Sequence, residues 1–332
     1  MSQPFVRHWE RDGADVYIGR PGSWGNPFEI SVHGDRAAVI ARFSAWFSAQ
    51  PHLQRMARRE LAGKTLGCRC APEACHGDVL AAVANDGGPS DDPLMVFGSN
   101  LRGVHGRGAA LFAHQHRGAV IGQGRGRTGN AYGIPTKDQQ LNTLPLPAIR
   151  DGVTEFLAYA RANPADLFEV TRIGCGLAGY KDAQIAPLFD GSPANVDLPH
   201  MWRLMLGLPV PPHVIVAGSR DFSDQVRLDV GLDKILSRMN APVIVSGAAK
   251  GADTMGETHA MSRWSDREVP FLRYPAEWDR YGKRAGMIRN QQMARTASHL
   301  VAFWDGQSPG TKAMIDMATA DGLMVRVVRV NS

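Results

Sequence analysis

The chain has little cysteine. Four thiols are spread over 332 residues, and three of them crowd between Cys68 and Cys75. That is not the disulfide framework of a small secreted domain, and a reducing compartment is expected. Long apolar runs are also missing. None approaches the roughly 18 residues of a membrane-spanning helix, and the N-terminus carries no signal-peptide core, so a cytoplasmic protein without a membrane partner is expected. There is no large excess of charge of one sign. A net charge of +5 permits an anionic ligand but does not require nucleic acid, since arginines also solvate ordinary surfaces.

Glycine is abundant, with 36 residues concentrated in turns between apolar runs. At this length two or three domains are expected. Asp86-Gly-Gly-Pro-Ser-Asp-Asp-Pro93 reads as a linker, and Asp190 to Pro212 as a proline-rich connection with one apolar helix over 200–206. These breaks give three segments: 1–85, 94–190 and 213–332.

The first segment has a short strand at Val16-Tyr-Ile-Gly-Arg20 and a rigid turn at Pro21-Gly-Ser-Trp-Gly-Asn-Pro-Phe28. A helix over 35–50 is capped by Asp35 and striped by Val39, Phe43, Trp46 and Phe47; a second, basic helix covers 52–61. A strand over 64–70 and a helix over 77–84 follow. Between them stands Cys68-Arg-Cys-Ala-Pro-Glu-Ala-Cys-His76. Cys68, Cys70, Cys75 and His76 are candidate zinc ligands; buried core thiols are the other reading. The spacing is not that of a standard zinc knuckle, and Cys68 and Cys70 are expected to diverge. The segment resembles a small domain of unknown function common in phage genomes, through Tyr17 to Arg20, Trp24 to Phe28 and Cys75 to Leu80.

The middle segment alternates strand and helix. Short strands are expected around Val120 and Tyr132, a helix over 147–162 and a strand over 168–173. Two glycine-rich turns, 98–110 and 172–180, each follow a strand and precede a helix. That is where backbone approaches a phosphate closely. Gly133-Ile-Pro-Thr-Lys-Asp138 presents a lysine between them. His105, His114 and His116 are expected on the surface. These residues resemble a macro domain, the three-layer α/β fold that binds ADP-ribose. The resemblance implies that Asn100 faces the distal ribose, that Gly103, Gly106 and Gly108 lie near the ligand, and that the loop with Gly174, Gly176 and Gly179 wraps the diphosphate. Ile134-Pro-Thr-Lys137 with Arg172-Ile-Gly-Cys-Gly-Leu177 resembles the branch that removes ADP-ribose from glutamate or from thymidine in DNA, where a lysine at the position of Lys137 is catalytic. Those relatives place an aspartate where this chain has Ala178; Asp182 is the candidate carboxylate nearby. The Gly-Asp strand by which macro domains read adenine is missing before Leu94.

The last segment alternates strands over 214–217, 242–246, 271–274, 299–304 and 325–330 with helices. It is the pattern of a doubly wound, Rossmann-like parallel sheet. Three phosphate-cradle candidates fall between strand and helix: Gly218-Ser219-Arg220; Gly247, Lys250, Gly251 and Asp253; and Gly310-Thr311. The segment resembles the SLOG superfamily, in its YspA-like branch, which joins the DNA-uptake protein DprA to nucleoside-monophosphate phosphoribohydrolases. Arg289-Asn290-Gln-Gln-Met293 resembles the arginine motif of those hydrolases, and Met314 stands where they carry a catalytic glutamate, with Asp316 two residues on.

The expectation is an α/β protein of three domains: small α+β, macro-like three-layer α/β, and Rossmann-like. Three functions compete. The first is hydrolysis of an ADP-ribosyl bond, in an NAD-derived nucleotide or on modified DNA or protein. The second is a nucleotide sensor or sponge without turnover. The third is DprA-like nucleic-acid binding, with a basic helix at Arg55 to Arg59. No cofactor is required beyond the candidate zinc.

Overall fold

A computed structural model describes residues 5–264, 267 and 270–330. It divides into two compact units with bounds Met1–Asp92 plus Pro211–Ser332, and Pro93–Val210. Among the described residues no helix is long and apolar enough to cross a membrane.

The N-terminal segment holds β1 (Val6–His8), α1 (Trp9–Asp12), β2 (Val16–Tyr17), α2 (Arg36–Ser48), α3 (Pro51–Glu60), β3 (Leu66–Cys68) and α4 (His76–Ala84). The three strands form a parallel sheet in the order β1-β3-β2. Asp35 caps α2, its carboxylate accepting from the Ala38 amide at 2.8 Å. Val39, Phe43, Trp46 and Phe47 fill the core as their spacing implies. The sequence does not announce β1, whose Val-Arg-His has no alternation long enough to read. The strand expected over 64–70 is shorter, because the chain turns after Cys68.

The middle unit holds β4 (Leu94–Asn100), α5 (Gly108–His116), β5 (Gly126–Thr128), β6 (Ala131–Lys137), α6 (Leu146–Ala162), β7 (Phe168–Val170), α7 (Asp182–Ile185), β8 (Val196–Asp197) and α8 (His200–Met205). Its sheet runs β5-β6-β4-β7-β8, parallel except for β5. Leu94 and Val96 of β4 pack into a cluster with Ile149, Val153 and Phe156 of α6. Met95 and Phe97 pack with Ala110 and Ala113 of α5. Alternate residues of one strand thus meet helices on opposite faces, which makes three layers. The strand expected around Val120 is absent. Residues 118–125 form a loop pressed against the first glycine turn, and a Cβ at Gly124 would stand 1.8 Å from the Asn100 carbonyl oxygen. His105 corrects a second expectation. It is buried, edge-on to Phe97 at 5.3 Å, with Nε2 3.1 Å from the Val120 carbonyl oxygen.

The C-terminal segment holds β9 (His213–Gly218), α9 (Gln225–Leu236), β10 (Val243–Ser246), α10 (Ala252–Arg263), β11 (Phe271–Arg273), α11 (Trp278–Tyr281), α12 (Ala285–Thr296), β12 (His299–Trp304), α13 (Pro309–Ala320) and β13 (Met324–Arg329). All five strands are parallel, in the order β11-β10-β9-β12-β13. Val214, Ile215 and Val216 of the central strand are wholly buried, as both faces are covered.

Strand β11 would be an open edge, and the N-terminal segment closes it. Trp46 donates its indole N–H to the Phe271 carbonyl at 2.9 Å, and the Gln50 side-chain oxygen accepts from the Arg273 amide at 2.9 Å. Burial pushes the His52 imidazole down to about 4, so it is neutral, and it bonds the Arg273 carbonyl through Nε2 at 2.6 Å. The Arg273 guanidinium lies buried over the Trp46 ring, paired with Glu257 and donating to the Gly25 carbonyl at 3.2 Å. One hydrophobic cluster accordingly contains Phe43 and Trp46 together with Val216 and Phe271.

Candidate functional site

The C-terminal sheet reverses its strand order between β9 and β12, and at the carboxyl ends of these strands lies a cavity of about 780 Å³. This is where open α/β sheets bind ligands. Gly218 ends β9 without a side chain because a Cβ there would come within 2.4 Å of the Phe303 carbonyl oxygen. The chain then turns through Ser219 and Arg220 along the cavity wall. Gly310 and Thr311, in the first turn of α13 (Pro309–Ala320), also line the cavity; no side chain caps this turn, which leaves their amides available to an anion. Asp305 shapes this entry. Its Oδ1 accepts from the Ser308 and Gln307 amides at 2.8 Å each, and these bonds hold its carboxyl below the usual range.

Arg289 and Asn290 enter from α12 and Asp253 from α10. Arg289 Nη1 stands 3.6 Å from the Asp253 carboxylate and donates to the Gly247 carbonyl; Arg289 Nε donates to Asn290 Oδ1 at 2.9 Å. Burial pushes Asp253 up to about 6, against the pull of Arg289. Burial also pushes Arg289 down, opposed by Asp253. Gly247 and Gly251, expected in a phosphate cradle, are not on the cavity wall. A Cβ on Gly247 would stand 1.8 Å from Arg289 Nη1, and one on Gly251 2.4 Å from the Ser219 carbonyl oxygen. Lys250 is exposed and off the wall. Met314 lines the cavity and is buried, while Asp316 is on the surface in a 2.6 Å ion pair with Lys312. Trp278, Lys283 and Asp305 also line the cavity. Trp278 and Asp305 belong to segments that carry the SLOG resemblance, but glycine spacing alone does not mark them or Lys283 as cavity residues.

The middle unit has a smaller cavity, about 420 Å³, at the carboxyl ends of β4 and β6. Asn100, Gly106, Gly108, Lys137, Gly174 and Gly176 line it together, as do Thr136 and Arg107, which the sequence reading had not singled out. Gly103, Gly179 and Asp182 are not on its wall. Gly103 meets the loop at Gly122, where a Cβ would stand 2.3 Å from a backbone carbon. Asn100 braces its own loop, donating to the Val104 carbonyl at 2.7 Å and accepting from the Val104 amide at 3.0 Å. Burial raises Asp182, but bonds from Arg172 and from the Trp202 indole, at 2.5 and 2.6 Å, outweigh it and leave the carboxyl below its usual range. Among the described residues the cavity wall has no carboxylate, and Lys137 has no ion-pair partner.

The third site is the cysteine cluster. The sulfurs of Cys68, Cys70 and Cys75 lie within 4.8 Å of one another, so the cluster could bind a metal ion. Cys68 and Cys70 therefore converge, contrary to expectation; residues two apart in extended chain share a face, and the turn after Cys68 brings Cys75 back. A hydrogen bond from Cys75 pushes the Cys68 thiol down to about 5, and the same bond, with burial, pushes Cys75 up. His76 is buried beside them, Nδ1 3.7 Å from the Cys75 sulfur. Arg20, Asn26 and Arg36 share with these thiols a cavity of about 300 Å³.

Residues 6–86 match the model of a domain of unknown function, DUF4326, and residues 212–281 match the YspA, cpYpsA-related SLOG family. The Gene 61 protein of Mycobacterium phage D29 is 32% identical over 118 residues, which cover 34% of this chain and 92% of the phage protein. An uncharacterized 12.4 kDa protein from the nrdA-td intergenic region of Enterobacteria phage T4 is 35% identical over 74 residues, 21% of this chain and 68% of that protein. No solved structure matches. The SLOG-type domain carries the strand-order reversal, its glycine turn and the α13 amides at one cavity, an arrangement suited to nucleotide-related ligands. The chain belongs to the family of the phage D29 Gene 61 protein, with a DUF4326 domain at its N-terminal end and a YspA-related SLOG domain at its C-terminal end.

Proposed function

We propose that this protein binds a nucleotide through its SLOG-type cavity and holds it without cleaving it there. One observation carries the reading: Gly218-Ser219-Arg220, the open first turn of α13 and the Arg289 guanidinium line one cavity at the strand-order reversal. The phosphate sits on the α13 amides and pairs with Arg220. Trp278, 54% exposed on the same wall, offers a face for the base. Met314 favours binding over glycosidic cleavage, because the wall position that would hold a general acid carries a thioether instead.

A second reading concerns the middle cavity, for ADP-ribose or an ADP-ribosylated acceptor. Lys137 on a wall with Gly106, Gly108, Gly174 and Gly176 supports it. A diphosphate would lie against the glycine turns, and Lys137 would stabilise the opened distal ribose. Lys137 would then act without a partner carboxylate, as Asp182 is engaged by Arg172 and Trp202.

The test is incubation of the full chain with ADP-ribose, NAD, cyclic ADP-ribose variants and nucleoside monophosphates, followed by mass spectrometry. Stoichiometric recovery of unaltered nucleotide, lost in Arg220→Ala, is expected. Release of free base from a monophosphate would overturn the non-catalytic reading of the SLOG-type cavity. Removal of ADP-ribose from glutamyl or DNA substrates as fast by Lys137→Ala as by wild type would overturn the second.

A further inference from the structure

We propose that Cys68, Cys70 and Cys75 bind a soft divalent cation of the zinc class, with His76 Nδ1 as the fourth donor. The inference is independent of the nucleotide sites. Three sulfurs already lie within 4.8 Å of one another on three separate supports: the end of β3, the turn after it and the N-cap of α4. A tetrahedral centre with metal–sulfur bonds of about 2.3 Å needs sulfurs about 3.8 Å apart, so binding draws the three closer by less than the width of one atom.

The imidazole supplies the independent observation. His76 Nε2 is 3.0 Å from the Ile18 carbonyl oxygen, which can only accept. The proton of the neutral ring therefore sits on Nε2, and the lone pair on Nδ1 faces the Cys75 sulfur at 3.7 Å; the imidazole lies outside the 4.8 Å group of the three sulfurs, so metal binding must draw it inward. A ligand histidine is oriented in this way, its far nitrogen donating to a backbone carbonyl. The surroundings also suit an anionic centre. The Gly77 amide donates to the Cys75 sulfur at 3.2 Å at the start of α4, and Arg36, paired with Glu73, lines the same cavity as the thiols. Three thiolates and one neutral imidazole around a doubly charged cation leave one negative charge, in a cavity that Arg20 and Arg36 also line. Binding releases to solvent whatever protons the thiols still hold, and no electrons move. Sulfur-rich donors at tetrahedral spacing select zinc over the oxygen-seeking cations. With four protein donors the site is closed and structural, joining β3 to α4.

The full chain, purified without chelator, is expected to hold one zinc per molecule. Cobalt(II) exchanged into it is expected to give thiolate charge-transfer absorption and the intense visible bands of a tetrahedral ion. Cys70→Ser, at a half-buried position the fold tolerates, is expected to weaken zinc binding at least about 100-fold, and His76→Gln to shift the cobalt bands, since loss of a ligand exceeds the ten- to hundred-fold cost of a supporting residue. A second measurement needs no variant: zinc is expected to slow alkylation of the three clustered thiols and to leave Cys175 unchanged. Zinc binding weaker than about 1 µM, a weak octahedral cobalt spectrum, or equal alkylation of all four thiols with and without zinc would overturn the site. Cobalt bands unmoved by His76→Gln would overturn the fourth donor.

Discussion

The two strand-end cavities differ in where they keep charge. The SLOG-type cavity has ionisable groups in its wall, buried Asp253 and half-buried Arg289, both bonded to the backbone of Gly247. The middle cavity has its carboxylate drawn away, with Asp182 fixed by Arg172 and Trp202, and presents Lys137, Arg107 and Arg172 from a wall of glycine, aliphatic and neutral polar side chains. Buried, bonded charge recognises a fixed anion with little reorganisation. A lysine without an ion-pair partner keeps its full charge for whatever anion enters. Geometry alone, a glycine turn after a parallel strand, does not separate these cases; the fate of the nearby carboxylate does.

The comparison breaks most severely at Arg273. Its SLOG-type domain depends on the N-terminal segment, whereas the middle unit carries its own core. Arg273→Ala leaves Glu257 buried without its partner and is expected to cost about 3–5 kcal/mol. Hydrogen exchange on the full chain should lose protection across α10, β11 and α2, while α6 and β6 keep theirs. Uniform loss in both units would refute this independence. Arg220→Ala comes next. The side chain is exposed, so folding should hold, and nucleotide affinity should fall by about 1.5–3 kcal/mol, the worth of a charged hydrogen bond. Calorimetry reads this, and an unchanged affinity would remove Arg220 from the phosphate site. Trp278→Ala sharpens the same site. Losing a stacking face costs about 1–3 kcal/mol for a nucleoside phosphate and nothing for inorganic phosphate. Equal losses for both ligands would show that Trp278 shapes the cavity and does not meet a base.

Much of this was legible in the chain. The apolar runs from Val214 onward and the glycine turns after them placed the parallel sheet and its cavity, because strand burial and the need for bare backbone leave direct marks on sequence. Asn100, Lys137, Gly174 and Gly176 converge for the same reason. Three kinds of fact left no such mark. Trp46, Gln50 and His52 close the edge of β11 from more than 200 residues away, and a stripe of aromatics gives no hint of what it faces. His105 looks polar and sits in a core because one carbonyl meets its ring nitrogen. Asp182 looks available beside a glycine loop until Arg172 and Trp202 are folded onto it.

The smallest expected effect tests the contrast of charge most directly. Asp253 titrates near 6 in the folded chain and near 3.8 when unfolded, with burial as the main cause. A carboxyl whose folded value is raised gives stability that is complete below the unfolded value and lost as pH rises through the folded one. Between about pH 4 and 6 the SLOG-type unit should therefore lose stability as Asp253 ionises, and Asp253→Asn should remove that slope. A phosphate bound near this carboxylate raises its proton affinity further, so nucleotide binding near pH 6 should take up a fraction of a proton. A monophosphate loses its own second proton close to the same pH. The measurement is therefore the difference in proton uptake between wild type and Asp253→Asn, read by calorimetry in buffers of unlike ionisation heat. The middle cavity, with no carboxylate on its wall, should show no such difference for ADP-ribose, whose diphosphate does not titrate there. Equal proton uptake by the two proteins would mean that the nucleotide does not approach Asp253, and that the phosphate is held by the α13 amides and Arg220 away from the buried pair.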